Sequence, residues 1–360
     1  MKRIARCVAA AMAVGLAWLA VSGAPAEAAA KKTFKIGYVV YVGFMPLNWM
    51  QSSGMMKKWS DKYGVDVQLV QINDYVAGVN QFIAGDLDAV AMTNMDQLVM
   101  PAAGGVDSSL FLITDYSNGN DAIVSKTAKS VKELDGKELH LLQYSVSHYL
   151  LNRALILNGM KLSSVKTTNI SDAEITAAFL TQPAMEHAVA WKPMVPDMVK
   201  GAKGSEIIFD SSKIPGEIMD VFVAKTQTLK DSPEFGKAFT GAWYETLAKL
   251  NAGGAEAEPI RTVMAASLGT DEAGLKTQID TTHFFSTPQE AADFLTAPKT
   301  KEIWDYVRTF CFEQGLYGQG ADSVDTIGIQ HPDGSVMGSA KNVKIRIDPS
   351  FTKLAAEGKL

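Results

Sequence analysis

Strand-like and helix-like segments alternate along residues 34–225, and this alternation constrains the fold more than any other feature of the sequence. The segment at 34–41 (FKIGYVVY) is rich in β-branched and aromatic residues, as strands are. The first round of segments contains predicted strands at 34–41, 65–72, 87–93 and 109–117 and predicted helices at 47–62 and 74–85. Asp74 and Gly85 are placed to cap the second of these helices. Such alternation predicts a mostly parallel sheet covered by helices.

A second α/β round is inserted into the first. Its predicted strands are 121–126, 138–144, 165–171 and 187–193. A short helix and turn are predicted at 130–139, and helices at 145–159 and 172–182. A strand–loop–strand unit spans 206–225, and helices follow at 232–253, 259–268, 288–296 and 299–314. We expect one lobe from 31–120 plus 221–360 and an inserted lobe from 121–220. Two crossings, near 115–123 and 220–225, then form a hinge around a cleft. Ligands of open α/β sheets bind at the carboxyl ends of the strands.

The first 30 residues have the order of a cleavable secretory signal peptide. Three basic residues, Lys2, Arg3 and Arg6, precede an uncharged apolar run and then a stretch of small residues. The apolar run, 7–22, is shorter than the roughly 20 residues of a spanning helix, which disfavours a membrane anchor. Cleavage leaves 31 basic and 38 acidic residues, a net charge of −7, which argues against nucleic acid as a partner. We expect an exported periplasmic protein.

Cysteine and histidine usage predicts a protein without a metal, a cofactor or catalytic residues. Cys311 is the single cysteine after cleavage, so it forms no internal disulfide, and it has the setting of a buried, inert thiol. The sequence has no G-x-S-x-G nucleophile elbow. His148, His187 and His283 have no evident nucleophile partner. We therefore expect a binding module and not an enzyme.

The strand-end loops resemble a known family. GYVVYVGFMP, FIAGDLDAVAMTNMD, YSVSHYLLNRAL, VAWKP and IPGEIMDVFVAK occur in this order between residues 34 and 250. They are similar to solute-binding proteins of the nitrate/sulfonate/taurine class of ABC importers. The run TNMDQLVMPAAGGVDSS…DYSNGNDAIV resembles the urea-carboxylase-associated (guanidine/urea-type) subgroup, although Tyr-Val-Gly-Phe-Met-Pro replaces its usual Trp-rich first loop.

This resemblance implies an α/β fold of the two-lobed periplasmic binding protein type (type II), with a double-crossover hinge. It implies a small-molecule ligand, an ABC permease in the inner membrane as partner, and a monomer. Two alternatives share the fold. A thiamine-pyrimidine synthase is disfavoured because that family carries a cysteine-rich motif, and a ligand-sensing lobe would feed a receptor instead of a transporter.

Twelve residues in the strand-end loops are candidate ligand contacts. They are Tyr41, Phe44, Asn94, Asp96, Asp115, Asn118, Asp121, Ser145, Ser147, His148, Trp191 and Glu217. Each has an ordinary structural alternative. The aromatic residues can pack in the core, Asn94 and Ser145 can cap helices, the polar run at 115–121 can form a turn, and Glu217 can belong to a surface ion pair.

The candidate residues give opposite indications of ligand charge. The helix start at Ser145 favours an anion or a hydrogen-bond acceptor, whereas the acidic residues favour a cation. These acidic residues are Asp96, Asp115, Asp121 and Glu217. A guanidinium ion would use the carboxylates and aromatic rings, urea would need only hydrogen bonds, and taurine would satisfy both charges. Nitrate or an alkanesulfonate would need basic residues, and Lys192 is the one basic residue in these loops. The sequence favours a guanidinium- or urea-like solute, with taurine, an alkanesulfonate or nitrate as the alternative.

Overall fold

Two β-sheets organise the chain in the computed structural model, which describes residues 33–360. Within this range the strands are β1 (Thr33–Tyr38), β2 (Asp66–Gln71), β3 (Ala89–Thr93), β4 (Ser108–Ser117), β5 (Ala122–Ser125), β6 (Glu138–Leu141), β7 (Lys166–Asn169), β8 (His187–Ala190), β9 (Glu206–Asp210), β10 (Met219–Lys225), β11 (Thr282–Phe284), β12 (Gly328–Gln330), β13 (Val336–Met337) and β14 (Val343–Ile347). The predicted signal peptide, 1–30, lies outside the described residues.

Helices cover both sheets. In the described range they are α1 (Pro46–Ser52), α2 (Met55–Tyr63), α3 (Tyr75–Ala84), α4 (Asn94–Gln97), α5 (Val146–Leu157), α6 (Asp172–Thr181), α7 (Met194–Gly201), α8 (Thr226–Asp231), α9 (Pro233–Ala252), α10 (Gly254–Ser267), α11 (Glu272–Asp280), α12 (Pro288–Thr296), α13 (Pro298–Glu313) and α14 (Ser350–Ala356). None of these helices combines the length and apolar character that crossing a membrane requires.

The strands divide into two sheets with different strand orders. In the described range the first sheet has the order β13-β12-β14-β4-β10-β3-β1-β2, and β11 pairs with β4. The second sheet has the order β7-β6-β8-β5-β9. Strands β1, β2 and β3 are parallel, whereas β10 runs antiparallel to β3 and β4. The predicted α/β class is thus confirmed, with a mixed first sheet in place of a mostly parallel one.

The chain passes between the sheets twice. It leaves the first sheet after Ser117 and enters the second at Ala122, and it returns between Asp210 and Met219. Hydrogen bonds join the first crossing to the second. Ser117 Oγ and Ser211 Oγ lie 2.6 Å apart, and Ser211 Oγ accepts from Gly119 N at 2.8 Å. The two crossing segments therefore run side by side.

Local sequence explains several element boundaries. The Asp74 carboxylate accepts a hydrogen bond from Ala77 N at 2.6 Å, and Gly85 ends α3 with φ +95°, so both predicted caps are confirmed. The helix predicted at 47–62 is two helices, because Gly54 adopts φ +79° between them. The short helix and turn predicted at 130–139 correspond to a 3-10 helix, Val131–Leu134, and a turn that leads into β6.

The C-terminal third completes the first sheet's core. Phe111 of β4 packs against Phe235 and Phe239 of α9, with ring centroids 6.0 and 5.9 Å apart, and against Phe351 of α14 at 6.3 Å. These rings are nearly or fully buried, and burial of rings of this size is a main source of folding free energy. Helix α11 and strand β11, which the sequence did not predict, lie beside the first crossing through the pairing of β11 with β4.

Candidate functional site

A small cavity lies where strand ends of the first sheet meet loops of the second. It is lined by Val39, Tyr41, Phe44, Tyr75, Thr93, Asp121, Ser145, Val146, Trp191, Ile218 and Asp220. The volume that the centre of a water molecule could occupy in this cavity is about 30 Å³. One bound water needs roughly 10–15 Å³ by the same measure. We call it the inner cavity. Its size suits a solute of a few heavy atoms.

Strand pairing brings distant parts of the chain to this cavity. Strands β1 and β3 run parallel, so Tyr41, which follows β1, and Thr93, the last residue of β3, reach the same edge of the sheet. Antiparallel β10 starts at that edge, and Asp220 is paired with Thr93. On the opposite side, Trp191 follows β8 and Ser145 precedes α5. The inner cavity therefore has walls from both sheets, at the carboxyl ends of β1, β3 and β8.

Aromatic rings form two walls of the inner cavity. Tyr41 and Phe44 meet edge to face, with centroids 5.1 Å apart. Tyr75 of α3 and Trp191 make a second edge-to-face pair at 6.3 Å, and this pair spans the two sides of the cavity. Ring faces carry partial negative charge, so such walls accept planar groups and attract cations.

Asp115 and Asp220 form a buried carboxyl pair behind Tyr41. They are opposite each other in the register of β4 and β10, and their carboxyl groups are hydrogen-bonded. Tyr41 Oη donates to Asp115 Oδ1 and Thr114 Oγ1 donates to Asp115 Oδ2, each at 2.7 Å. Burial raises the pKa of Asp115 to about 7, and burial together with the Asp115 charge raises the pKa of Asp220 well above its ordinary range. The pair therefore holds a proton near neutral pH.

Gly43 permits the loop after β1 to approach this carboxyl pair. A Cβ atom at residue 43 would overlap the carboxylate of Asp115 and the ring of Tyr41. A residue with any side chain would push Tyr41 off its hydrogen bond with Asp115 or move the loop. The glycine is therefore part of what holds the Tyr41 ring against the cavity.

Two further buried carboxyl groups lie nearby: Asp121 in the lining of the inner cavity, and Asp96 behind Tyr75. Burial raises the pKa of Asp121 to about 6, against the lowering effects of Ser117 and Lys192. Burial likewise raises the pKa of Asp96 to about 6, although Tyr75 Oη and Thr93 Oγ1 donate to its Oδ2 at 2.6 and 2.7 Å. Burial outweighs the opposing charge of Lys192 at Asp121, so ionising either of these carboxyl groups carries a desolvation cost. An approaching cation would relieve this cost.

No basic side chain is among the described residues that line the inner cavity. Lys192 is adjacent in sequence to Trp191, but its Nζ donates to Thr281 Oγ1 at 2.7 Å, on the far side of the first crossing. Burial lowers the pKa of Lys192, and the nearby charges of Asp210 and Asp121 oppose that shift. The cavity therefore presents carboxyl groups and aromatic rings to its contents, with negative charge in excess.

Comparison with known proteins identifies the family. A model described as NMT1-like family matches residues 27–264. The chain belongs to the NMT1-like family. The "Taurine-binding periplasmic protein" of Escherichia coli (strain K12) is 26% identical over 245 residues, covering 66% of this chain and 74% of that protein.

Solved structures share the fold of this NMT1-like protein. The alkanesulfonate-binding protein SsuA from Xanthomonas axonopodis pv. citri, bound to MOPS, matches with a TM-score of 0.65 at 14% identity over 81% of this chain and 96% of that chain. The periplasmic nitrate-binding protein NrtA from Synechocystis PCC 6803 matches with a TM-score of 0.57 at 12% identity over 92% and 99%. These matches confirm the predicted periplasmic binding protein fold. The family and the fold together confirm the prediction of a binding protein instead of an enzyme.

The NMT1-like chain brings five of the twelve candidate contacts into the lining of the inner cavity. These are Tyr41, Phe44, Asp121, Ser145 and Trp191. Asp115 lies one layer behind, bonded to Tyr41, and Asp96 lies beside Tyr75 on an adjoining cavity. The predicted loops meet at this cavity, but the sequence did not distinguish the residues that line it from those that support the lining.

Glu217 is placed elsewhere, away from the lining. Its carboxylate accepts from Arg153 Nε at 2.7 Å, Arg153 Nη2 at 2.9 Å and Tyr149 Oη at 2.5 Å, all on α5. Asn94 is a support too, because its side chain donates to Glu217 O and accepts from Met219 N, each at 3.2 Å. Asn118 is half-buried in the first crossing, where its N–H donates to Thr281 O at 3.0 Å. All three therefore occupy positions in the framework of the crossings.

The start of α5 contributes capping groups. Ser145 Oγ accepts from Ser147 N at 3.2 Å and donates to Leu142 O at 2.8 Å, as an N-cap does. Ser147 is buried, and its hydroxyl has no hydrogen-bond partner among the described residues. His148 packs edge to face on Phe310 at 5.7 Å, and burial lowers its pKa to about 4, so its ring is neutral. Ser147 and His148 do not line the inner cavity.

Three polar or aromatic lining residues were not among the candidate contacts. Tyr75 begins α3 directly after the Asp74 cap, Thr93 caps α4, and Asp220 lies one residue inside β10. A signal existed for Tyr75 and Thr93, since each stands where a strand end leads into a helix. Asp220 had a weaker signal, because a carboxylate within an apolar strand is rare and needs a reason.

Proposed function

We propose that this protein is the substrate-binding component of an ABC importer and captures guanidinium or a similar small nitrogenous cation. The observation that carries the proposal is the inner cavity's excess of buried carboxyl groups, with no basic residue in its described lining. Asp121 and Asp220 line it directly, and Asp115 and Asp96 stand behind Tyr41 and Tyr75. The negative charge of these carboxylates is not balanced by a basic residue in the described lining, so it can be balanced by a bound cation.

Shape supports a planar cation. The rings of Tyr75 and Trp191 face the same space from opposite sheets, and Tyr41 and Phe44 close a third side. A cation against such rings gains roughly 0.5–2 kcal/mol, and more as water is excluded. Guanidinium N–H groups also make charge-assisted, bidentate hydrogen bonds with carboxylates. Urea is planar like guanidinium but uncharged, so it would not balance the negative charge of the carboxylates.

Taurine is the second candidate. The N-terminus of α5 reaches the inner cavity through Ser145 and Val146, and helix N-termini suit anionic groups. A taurine amine would contact the carboxylates while its sulfonate lay at this helix start. The 26% identical relative is named as taurine-binding, which supports this candidate. Nitrate and simple alkanesulfonates lack the positive group that the carboxyl cluster favours.

The mode of action follows from two-lobe closure. We assign 31–120 plus 221–360 to one lobe and 121–220 to the other, with the paired crossings as the hinge. Residues on both sides contact the ligand, so binding favours the closed form. In this proposal the exported monomer, cleaved after residue 30, binds its solute in the periplasm. The closed complex then docks on an inner-membrane permease.

A melting-temperature screen tests the ligand. The mature protein is heated with guanidinium, urea, taurine, ethanesulfonate or nitrate at low millimolar concentration, with sodium chloride at equal ionic strength as the control. We expect the largest upward shift with guanidinium, growing with its concentration as mass action requires. Calorimetry then gives the affinity and a stoichiometry of one. If taurine raised the melting temperature and guanidinium did not, the proposed ligand would be the zwitterion taurine and not the cation.

A further inference from the structure

A second, larger cavity adjoins the inner cavity. It is lined by Tyr75, Val76, Asp96, Val99, Met100, Leu142, Gln143, Tyr144, Ser145, Gln314, Gly315, Leu316 and Gly318. The space open to the centre of a water-sized sphere is about 430 Å³. We call it the outer chamber. Its walls come from α3 and the segment after α4 on one side, the loop between β6 and α5 on another, and the segment after α13.

The inner cavity and the outer chamber meet at two residues. Tyr75 and Ser145 line both spaces. The Tyr75 ring is held in place, because its hydroxyl donates to Asp96 Oδ2 at 2.6 Å and accepts from Thr93 N at 3.0 Å. Ser145 is held by its capping bonds. The two spaces are therefore adjacent, with the Tyr75 ring and the start of α5 at their boundary.

The outer chamber is chemically unlike the inner cavity. Five of its thirteen lining residues have aliphatic or thioether side chains: Val76, Val99, Met100, Leu142 and Leu316. Gln143 is turned to the second sheet, where its Nε2 donates to Thr167 Oγ1 at 2.8 Å. The carboxylate in the lining, Asp96, already accepts from Tyr75 and Thr93. Such a surface favours an uncharged, mainly apolar group.

Tyr144 stands at the rim of the outer chamber in an unusual conformation. It has φ +66°, a left-handed backbone that side chains larger than glycine adopt at a cost. Its ring is 58% exposed and packs edge to face with His148 at 6.2 Å. Strain of this kind persists at ligand clamps and similar sites. The exposed ring is positioned to cover a group that occupies the chamber.

We propose that the outer chamber binds the substituent of an N-substituted guanidinium, an alkyl or aryl group, whose cationic head lies in the inner cavity. This inference rests on the proposed function for the head group. It makes substituted guanidinium ions, and not the bare ion, the preferred substrate class. The Tyr75 ring and Ser145 separate head from tail, Val76, Val99 and Met100 contact the tail, and Tyr144 covers it.

Calorimetric titration with a homologous series tests the outer chamber. Guanidinium, methylguanidinium and n-butylguanidinium are compared on the mature wild-type protein. Each buried methylene contributes about 0.8 kcal/mol, or about a fourfold change in Kd. Part of this gain is lost in ordering the chain, so we expect the butyl compound to bind at least about tenfold more tightly than guanidinium.

Two matched tryptophan variants locate the effect. Val76→Trp fills the outer chamber from α3, and it should reduce the ratio of guanidinium to n-butylguanidinium Kd to about one. Ile83→Trp is the control, since Ile83 is a half-buried residue on the same helix outside the chamber lining. This variant should keep the wild-type ratio. Melting temperatures of both variants report whether either substitution disturbs the fold.

Three results have distinct meanings. If guanidinium binds and the butyl compound binds no more tightly, the outer chamber inference is overturned and the proposed function stands. If both variants keep the tail preference, the tail lies elsewhere and the inference is again wrong. If no guanidinium compound binds while taurine does, the proposed function itself fails and this inference fails with it.

Discussion

Two groups of buried carboxylates lie close together in this protein and have opposite surroundings. Glu217, on the second crossing, has Arg153 and Tyr149 as donors on three of its hydrogen bonds. Asp220, three residues later, forms no ion pair with any described residue and is hydrogen-bonded to another carboxyl group. Both residues are more than 90% buried. The charge of Glu217 is balanced by Arg153, whereas Asp220 is available to a cation from outside the protein.

We propose that this difference separates a structural role from a binding role. The ion pair of Glu217 ties the second crossing to α5 and thereby stabilises the folded protein. The cluster of Asp96, Asp115, Asp121 and Asp220 does the reverse, because burial of these groups disfavours their charged forms. Proteins tolerate such groups at functional sites. Stability and ligand affinity should therefore respond in opposite ways to mutation of the two groups.

The largest effect is expected on ligand binding when Asp121 is neutralised. Asp121→Asn removes a lining carboxylate, and we expect guanidinium affinity to fall by about 3 kcal/mol, or more than a hundredfold in Kd. The empty protein should be as stable as wild type or more stable, since a desolvated carboxylate is gone. Calorimetry and urea unfolding measure both quantities. Asp135→Asn, at an exposed position of the inserted segment, is the control and should change neither.

Neutralising Glu217 should give the complementary result. Glu217→Gln leaves Arg153 mostly buried without its partner, and we expect unfolding free energy to fall by about 2 kcal/mol. Guanidinium affinity should change by less than about threefold. Urea unfolding checks the first quantity, with Glu302→Gln as the control, because its pair with Lys299 is exposed and contributes little. If Glu217→Gln lost much of its guanidinium affinity and kept normal stability, Glu217 would be a ligand contact and not a structural residue.

The pH dependence should distinguish the acidic cluster from ordinary surface carboxylates. The pKa of Asp115 is about 7 and those of Asp96 and Asp121 are about 6, against an ordinary value of 3.8. A cation binds best to ionised groups, so its affinity should rise between pH 5 and 8, by up to about tenfold per pH unit for each proton released. Calorimetry in two buffers of different ionisation enthalpy counts those protons. A pH-independent Kd contradicts the cluster's role.

Stability of the empty protein should follow the opposite trend. On raising the pH, the unfolded chain releases these protons near its ordinary pKa and the folded chain releases them only near 6 to 7. The folded state therefore binds more protons in between, and the contribution of these groups to stability falls across that range. Urea unfolding at a series of pH values measures the slope. Asp121→Asn should reduce it.

The smallest expected effect concerns the aromatic wall. Trp191→Leu removes the ring that faces Tyr75, and we expect guanidinium affinity to fall by about 1 kcal/mol, or about fivefold. Trp191→Phe should retain most of the affinity, because a ring face remains. Titration of both variants measures the difference. Equal losses in the two variants would mean that packing, and not the ring's charge distribution, is what matters.

The sequence predicted the architecture because the fold is encoded locally. Alternating segments gave the two α/β rounds, and residues such as Asp74 and Gly85 marked helix ends that the structure confirms. The strand-end rule pointed to the loops that line the inner cavity. An error arose at 47–62, where the single predicted helix is two helices separated by Gly54.

The sequence by itself determined which loops meet and that they carry aromatic and acidic residues. Only the tertiary structure decided which carboxylates are neutralised within the protein. Glu217 and Asp220 have similar sequence surroundings, and the cation that distinguishes them, Arg153, is 64 residues from Glu217 along the chain. Asp220 faces Asp115 because of the β4–β10 register. Electrostatic energy depends on distance and burial in space, and neither can be read from neighbours in sequence.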